Sequence, residues 1–322
     1  MENKLHVVFG AGQVGTLLAQ RLTENGRRVR VVKRSPVDVA PGVEVLLGDA
    51  TDAAFCMEAA KDAAVVYHCM NPSYDAAAWA ILVPLYMENL IAAAGKTGAR
   101  LVVLDNLYMF GATGGISINE DTPVNPCSRK GEIRARAAER LFSAHQRGEV
   151  RAVCGRASDF FGPRGSLTHF GDFFWKPALA GRTVWSPVNP DATHTFHYIP
   201  DVAAALMTLG SADDDALGKS WMLPCLPAGT MRELATHFSV PLGRGIRVSA
   251  VPRFVVKTMG VAMPVIREMN EILYQWDEPF IVDDHSFRAR FAVRPTMVDE
   301  AARATVDWAK ETYGFESVKK AA

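Results

Sequence analysis

The amino-acid sequence predicts an α/β fold in which a doubly wound parallel sheet is followed by a smaller, mostly helical C-terminal lobe. Two observations support this prediction. Apolar runs of strand length alternate with segments of helical spacing through the first half of the chain, and such alternation is typical of a parallel sheet with helices on both faces. The first apolar run leads directly into a Gly-x-Gly-x-x-Gly pattern at Gly10, Gly12 and Gly15. A strand, this pattern and a helix together indicate a Rossmann-type sheet.

Each glycine of this pattern has a separate physical role. Gly10 allows the tight turn after the strand, Gly12 lets the backbone approach a pyrophosphate, and Gly15 lets the helix pack close to the sheet. The helix start at Gln13 and Val14 would present free N–H groups to the phosphates. The motif therefore predicts a dinucleotide site.

The remaining elements of the first half follow in alternating order. Predicted strands cover residues 28–33, 43–47, 64–69, 101–104 and 150–156. Predicted helices cover residues 53–61, 76–96 and 129–146. These strands are almost continuously apolar, as expected for strands that are buried on both faces.

The second half of the chain changes in character, because residues 164–192 are rich in Phe, Trp, Gly and Pro. We expect residues 1–165 to form the Rossmann-type, dinucleotide-binding domain and residues 193–226 to return to it. Residues 166–192 and 227–322 would then form the substrate-binding lobe.

The end of the second predicted strand indicates which dinucleotide is bound. NAD-binding folds usually place an acidic residue there, which pairs with the ribose 2′-hydroxyl, whereas this chain has Lys33, Arg34 and Ser35. A guanidinium pairs with a phosphate through two parallel hydrogen bonds, so cations at this place suit a 2′-phosphate. We therefore expect NADPH in preference to NADH. The alternative is that Lys33 and Arg34 are ordinary solvated residues at a strand end.

The composition argues against several classes of partner. The 322-residue chain has 35 basic and 35 acidic side chains, and its net charge of zero argues against electrostatic binding of nucleic acid. We expect no membrane span, because no window approaches the uninterrupted apolar length that a span needs. The N-terminus does not have the layout of a signal peptide. The expected partner is a small-molecule substrate, with neither nucleic acid nor membrane.

The cysteines and histidines do not predict a metal site. The five cysteines are widely spaced and contain no Cys-x-x-Cys pair, which argues against structural zinc and a disulfide framework. His194 and His197 have the spacing of a weak metal pair, but no third-ligand pattern accompanies them. We expect no metal and a reduced, cytoplasmic setting.

Several motifs resemble the extended short-chain dehydrogenase/reductase family, which contains NAD(P)-dependent epimerases, dehydratases and reductases. The matching segments are the glycine loop, residues 48–52, Phe110-Gly111, residues 156–163, residues 198–203 and Arg294-Pro295-Thr296. The resemblance implies cofactor contacts for six further residues. These are Asp49 and Ala50 at the adenine end, Cys69, Met70 and Asn71 at the pyrophosphate and ribose, and Ser158 near the nicotinamide. It also allows a homodimer paired through the helices at 76–96 and 129–146.

The chain departs from the family's pattern at its catalytic positions. Asn106 stands where the family has a catalytic Ser or Thr. When the family's frequent helix glutamate is aligned with Glu139, Gly131 falls in the place of the catalytic Tyr and Ala135 in the place of its Lys. The resemblance therefore implies an atypical member without the Tyr-x-x-x-Lys pair.

Other polar residues near these positions are candidates for catalysis. Tyr108 follows the fifth strand, where a phenol could donate a proton to a substrate oxygen. Asn106 could hold that oxygen or the nicotinamide ribose. Lys130 and Arg134 share one helix face, and a cation there could lower the pKa of a nearby phenol. The alternatives are a core tyrosine with a satisfied hydroxyl and two solvated cations.

These observations predict an NADP(H)-dependent oxidoreductase that reduces a carbonyl, or another polarised double bond, of a fairly apolar small molecule. Aromatic and Met residues at 173–185 and 255–276 would line its pocket, unless they are ordinary core. One alternative is a nucleotide-sugar epimerase or dehydratase that uses its dinucleotide as a resident redox group. The C-terminal half has no obvious basic patch for a diphosphate, which counts against that alternative. A second alternative is a non-catalytic protein that senses the dinucleotide.

Overall fold

The computed structural model describes residues 4–36, 38–262 and 264–314, and within these only the backbone of residues 257, 259–262, 264 and 265. The strands are β1 (Leu5–Phe9), β2 (Arg28–Lys33), β3 (Glu44–Leu47), β4 (Ala63–His68), β5 (Arg100–Asp105), β6 (Arg151–Arg156), β7 (Asp159–Phe161), β8 (Val184–Ser186), β9 (Phe196–Tyr198), β10 (Ser220–Met222) and β11 (Val248–Ala250).

Helices cover both faces of the main sheet and build most of the C-terminal lobe. The α-helices are α1 (Gln13–Glu24), α2 (Ala53–Ala59), α3 (Ala76–Thr97), α4 (Arg129–Gln146), α5 (Asp172–Leu179), α6 (Ile199–Ser211), α7 (Met231–Leu242), α8 (Arg253–Ala262), α9 (Pro264–Met269), α10 (His285–Phe291) and α11 (Val298–Tyr313). Short 3-10 helices cover Tyr108–Phe110, Asp214–Ala216 and Asn270–Trp276.

The described strands form a seven-stranded sheet in the order β10-β6-β5-β4-β1-β2-β3, and all of its pairs are parallel. One apolar core packs α2, α3 and α4 against one face, and a second packs α1 and α6 against the other. The order reverses between β1 and β4, and such a switch point opens a crevice at the carboxyl ends of the strands. The predicted doubly wound Rossmann-type sheet is confirmed.

Helix α3 corrects one expectation from the sequence. Its 22 residues are long and apolar enough to cross a membrane by length and composition alone, with a mean hydropathy of 1.5. Half of that stretch is buried in the protein, and the helix packs against α2, α4, β4 and β5. A core helix of this length passes the same test of composition, and the packing is that of a core helix.

The C-terminal lobe has its own apolar core between α5, α7 and α11. Two short parallel pairs, β7 with β9 and β8 with β11, form separate two-stranded sheets. Helix α10 leaves the lobe and returns to the main sheet, where Phe287 and Phe291 pack on Trp221 of β10 with ring centroids 6.4 and 5.1 Å away. The predicted domain boundary between residues 165 and 166 stays a prediction. Helix α10, which the sequence analysis assigned to the lobe, packs on the main sheet instead.

Candidate active site

The glycine loop lies between the end of β1 and the start of α1. Gly10 has φ +98°, and a Cβ there would lie 2.8 Å from the backbone of Cys69. A Cβ at Gly15 would lie 1.9 Å from the carbonyl oxygen of Gly10, so neither position can carry a side chain. A Cβ at Gly12 would meet nothing within 4 Å, and no side chain caps α1 at this residue. The helix start therefore presents free N–H groups to open space, as a bound pyrophosphate requires.

The ends of β2 and β3 place the residues expected at the adenine end close to one another. Arg34 and Asp49 are both exposed, and both charges act on the Tyr86 phenol, whose pKa is raised mainly by burial. Ala50 is buried, and its carbonyl oxygen accepts a hydrogen bond from Asn89 Nδ2 at 2.8 Å. Lys33 is the last residue of β2. The two cations therefore stand at the position where a Rossmann-type fold contacts the adenosine ribose.

The end of β4 connects this loop to α4. Cys69 N–H donates to the carbonyl of Phe9 at 2.8 Å, and Met70 N–H donates to His68 Nδ1 at 3.2 Å. Asn71 Oδ1 accepts from the Arg134 guanidinium at 2.5 Å. Two buried polar atoms beside the crevice, Gln13 Oε1 and Arg134 Nε, have no hydrogen-bond partner among the described residues. Unpaired buried polar atoms are rare in folded proteins, so this crevice fits a polar ligand such as a dinucleotide.

The start of α4 differs from the arrangement expected from the sequence. A Cβ at Gly131 would lie 2.5 Å from the Tyr108 carbonyl oxygen, so no larger side chain fits there. Two charged side chains of this helix, Lys130 and Arg134, are buried. The buried Lys130 and Arg134 each stand one residue ahead of Gly131 and Ala135, the two positions that the alignment through Glu139 gives.

Lys130 is fully enclosed by two carboxylates from the C-terminal lobe. Its Nζ lies 2.5 Å from Glu268 Oε2 and 2.6 Å from Glu271 Oε1, and 4.6 Å from the centre of the Tyr74 ring. The same carboxylates accept backbone N–H groups at the starts of α3 and α4, from Ala76 at 2.9 Å and from Arg129 at 3.1 Å. Lys130 is thus neither a solvated cation nor free to reach a substrate.

Tyr108 lies on the 3-10 turn after β5 and stacks on Trp79, with the ring centroids 6.1 Å apart. Burial raises the pKa of its phenol, and the negative charge of Asp159 raises it further. The Arg134 guanidinium lowers this pKa, as expected of a cation on that helix face, but burial and Asp159 outweigh it, so the phenol keeps its proton at neutral pH. Asn106 supports the turn, because its Oδ1 accepts the N–H of Tyr108 at 3.1 Å. The buried Tyr74 hydroxyl, a neighbour of Tyr108, has no partner of good geometry among the described residues.

Ser158 lies past the end of β6 in a network with His197. Its N–H donates to His197 Nδ1 at 3.2 Å, while His197 Nε2 donates to the Leu223 carbonyl at 3.1 Å. These partners require the neutral ring, and burial lowers the pKa of His197 to about 3. The Ser158 hydroxyl donates to the carbonyl of Thr195. Ser158 is thus held at the carboxyl edge of the sheet, and its nicotinamide contact stays a prediction.

A cluster that the sequence did not predict adjoins Ser158. Asp159 Oδ2 lies 2.8 Å from His194 Nε2, and Asp159 Oδ1 lies 3.6 Å from His169 Nε2. The sequence analysis considered His194 only as half of a weak metal pair with His197. Among the residues that the structure describes, no group of three or more His, Cys, Asp or Glu side chains is arranged to hold a metal ion.

Comparison with known proteins agrees with the fold and the crevice. The model of the NAD dependent epimerase/dehydratase family matches residues 6–221. The fold and the glycine-loop crevice define a Rossmann-type protein of the extended short-chain dehydrogenase/reductase group. Within it, the chain belongs to the NAD dependent epimerase/dehydratase family. No curated protein matches the sequence.

Solved structures with the same fold are distant in sequence. An epimerase from Methanothermobacter thermautotrophicus superposes with a TM-score of 0.80 at 17% identity, covering 97% of this chain and 94% of that one. UDP-glucuronic acid 4-epimerase from Bacillus cereus, in complex with UDP-glucuronic acid and NAD, gives 0.78 at 16% identity, covering 96% and 100%. dTDP-glucose 4,6-dehydratase from Bacillus anthracis, in complex with NAD, gives 0.76 at 13% identity, covering 96% and 97%.

Proposed function

We propose that this chain is an NAD(P)-dependent enzyme of the epimerase or dehydratase type, acting at a hydroxyl-bearing carbon of a polyhydroxylated substrate. One observation supports this most directly. The crevice brings the open glycine loop and the unpaired Arg134 Nε to the same sheet edge as the Tyr108 and Tyr74 phenols. The family match favours this reading over the net reduction of an apolar compound that the sequence suggested.

The chain's own residues supply binding and orientation. A bound nicotinamide dinucleotide supplies hydride acceptance and return. The free N–H groups of the α1 start would hold its pyrophosphate, and Arg134 with Asn71 would hold a ribose beside β5. Tyr108, whose raised pKa keeps it protonated, would donate a hydrogen bond to the substrate oxygen. Lys130 and Arg134 would occupy the places of the family's Tyr and Lys.

The substrate lobe supports a polar rather than an apolar ligand. Phe173 and Trp185 are 87% and 61% exposed and do not line an enclosed apolar pocket. They border a hollow of about 700 Å³ that also contains Lys176, Arg182 and Arg247. Phe174 and Trp175 are buried in the core of the lobe, as the alternative of ordinary core residues expected, and the part predicted at 255–276 lies partly outside the described side chains.

A second candidate is a net reductase that consumes NADPH. It is favoured by Lys33 and Arg34 at the end of β2, where an acidic residue would select NADH. NADPH binding stays a proposal in either case, as do a small-molecule substrate, a homodimer through α3 and α4, and a cytoplasmic location. The third possibility is a dinucleotide sensor that does not turn over.

One assay separates these candidates. Purified protein is incubated with NAD+, NADP+, NADH or NADPH and with UDP-glucuronic acid, UDP-galactose, dTDP-glucose, or a panel of ketones and enones. The absorbance of reduced nicotinamide is followed together with chromatography of the products. An epimerase or dehydratase converts the sugar without net change in cofactor, a reductase depletes NADPH steadily, and a sensor binds cofactor with neither result. Steady depletion of NADPH without sugar conversion would contradict the main proposal.

A further inference from the structure

Asp159 occupies a position at the reacting end of the crevice. It is the first residue of β7, just past β6, and β6 pairs with β5 through Arg156 and Asp105. The loop after β5 carries Tyr108, so the carboxylate and the phenol leave neighbouring strands at the same edge of the sheet. Sites in open parallel sheets are built at this edge.

The two carboxylate oxygens of Asp159 have different surroundings. Oδ2 accepts from Nε2 of His194, whose side chain is 0% exposed, at 2.8 Å. Oδ1 faces His169 at 3.6 Å, beyond hydrogen-bond distance, and the Asp159 side chain is 26% exposed. Oδ2 is therefore committed to the protein, and Oδ1 is accessible to a ligand.

The His194 ring lies between two hydrogen-bond acceptors. Its Nδ1 lies 3.3 Å from the carbonyl oxygen of Gln275, and its Nε2 faces Asp159. Both neighbours are acceptors, so each ring nitrogen of His194 faces a hydrogen-bond acceptor. The ring stacks parallel to Trp276 at 4.1 Å and lies 5.4 Å from Phe280, and aromatic faces stabilise a cation.

The other titratable groups around Asp159 leave it as the candidate proton carrier. Burial raises the pKa of Asp159, but the hydrogen bond from His194 outweighs it, so the net shift is downward. Burial lowers the pKa of His169, which leaves that ring neutral. The nearby phenols, Tyr74 and Tyr108, are kept protonated by burial. Glu271 pairs with Lys130, and Arg134 binds Asn71 and Asp105.

We propose that Asp159 is the acid–base residue of this site and that His194 is the residue that positions it. The proposal rests on the proposed function. In the oxidising direction the substrate O–H bond breaks, and its proton moves to Oδ1 of Asp159. A bound nicotinamide dinucleotide would accept the electron pair of the C–H bond as hydride, and the carbon–oxygen bond of the substrate would become C=O. In the return direction Oδ1 gives the proton back to the substrate oxygen, while Oδ2 keeps its hydrogen bond to His194.

The protonation state of His194 can be measured without a substrate. Nitrogen-15 NMR of the imidazole rings, with His194 assigned through His194→Gln, should show His194 doubly protonated at neutral pH. In Asp159→Asn the same ring should become neutral, because the amide no longer supplies a negative charge. A neutral His194 in the wild type at neutral pH would overturn the proposal.

Catalysis is tested with the compound that the wild type converts. Asp159→Asn should lower kcat by about 10²–10⁴-fold, the span of general acid–base catalysis, and should leave dinucleotide affinity unchanged in calorimetry. His194→Gln should lower kcat more than it changes KM and should move the acid limb of the pH profile upward. The control is Asp191→Asn, an exposed aspartate that pairs with Arg232 at 2.8 Å, which should keep wild-type kcat.

The kinetic and NMR experiments have separate outcomes. Wild-type turnover in a folded Asp159→Asn enzyme would remove Asp159 from the proton step. If Asp159→Asn does not fold, Asp159→Glu replaces it and should retain part of kcat. A wild type that converts none of the compounds would overturn the proposed function and the proton step with it, while the NMR spectra would still decide the state of His194.

Discussion

Replacing Lys130 with methionine should destabilise the fold strongly, because the lysine is the buried partner of two carboxylates. Its side chain is 0% exposed, and its Nζ lies 2.5 and 2.6 Å from Glu268 and Glu271. Lys130→Met keeps most of the volume and removes the charge, leaving two carboxylates without their cation. Breaking a buried ion pair in this way costs roughly 3–5 kcal/mol.

The lower end of that range is expected here. Glu268 and Glu271 are 15% and 23% exposed and keep their backbone partners, Ala76 N–H and Arg129 N–H. A loss of about 3 kcal/mol, with an unfolding entropy of about 2.1 cal/mol/K per residue, lowers Tm by about 4–5 °C for a chain of this length. Calorimetric and urea unfolding would measure both quantities.

Lys176→Met is the matched control for this measurement. Lys176 lies at the same distance from a carboxylate, 2.6 Å from Asp172, but its side chain is 59% exposed. Exposed helix pairs contribute about 0.3–0.5 kcal/mol, so Tm should change by less than about 1 °C. Adding Glu268→Gln and Glu271→Gln to Lys130→Met should restore part of the loss. Equal, small changes in Tm for Lys130→Met and Lys176→Met would refute the argument that the buried ion pairs of Lys130 stabilise the fold.

Three further predictions follow from the cofactor crevice and the buried histidines. Gly12→Val should fold but lose dinucleotide binding in calorimetry, because its side chain enters the open space expected to hold the pyrophosphate. Gly15→Val should fail to fold, because its Cβ would lie 1.9 Å from a backbone atom. A Gly12→Val protein with unchanged affinity would show that the pyrophosphate binds elsewhere. Changing Lys33 and Arg34 to Asp and Ile should weaken NADPH far more than NADH, by roughly 1.5–3 kcal/mol per lost charged hydrogen bond, and equal losses would contradict the choice of cofactor. The pKa of His197 is about 3 in the folded state against 6.5 as its ordinary value, so the unfolded chain binds the extra proton. The contribution of His197 to the free energy of unfolding should be complete above about pH 6.5 and should fall toward pH 3 by up to about 1.4 kcal/mol per pH unit. Urea unfolding of His197→Gln should show a shallower fall of this free energy with pH. An unchanged pH dependence would exclude His197 as its cause.

The main sheet could be predicted from the sequence because its signals are local. A continuous apolar strand, three spaced glycines and a helix stand within the first 24 residues. The strands β7, β8, β9 and β11 have three residues each, which is too short for any periodicity to show. Their pairing depends on contacts that the chain makes only after folding.

The candidate site divides in the same way. The glycine loop is contiguous, so its geometry follows from residue type, whereas Asp159, His169 and His194 come from three separate segments and each resembles an ordinary core residue in sequence. Lys130 finds its partners Glu268 and Glu271 about 140 residues away. The lack of space at Gly131 could not be predicted, because an alignment through one glutamate contains no information on it.

The return of α10 to the main sheet has a consequence for how the chain is made. Strand β10 forms one edge of the sheet and pairs with β6, which lies about 65 residues earlier in the chain. Phe287 and Phe291 of α10 pack on this edge. Such non-local pairing delays folding until distant segments have been synthesised. The β10 edge is therefore covered only after α10 has been synthesised, and a fragment cut after residue 226 would lack the two rings that pack on Trp221.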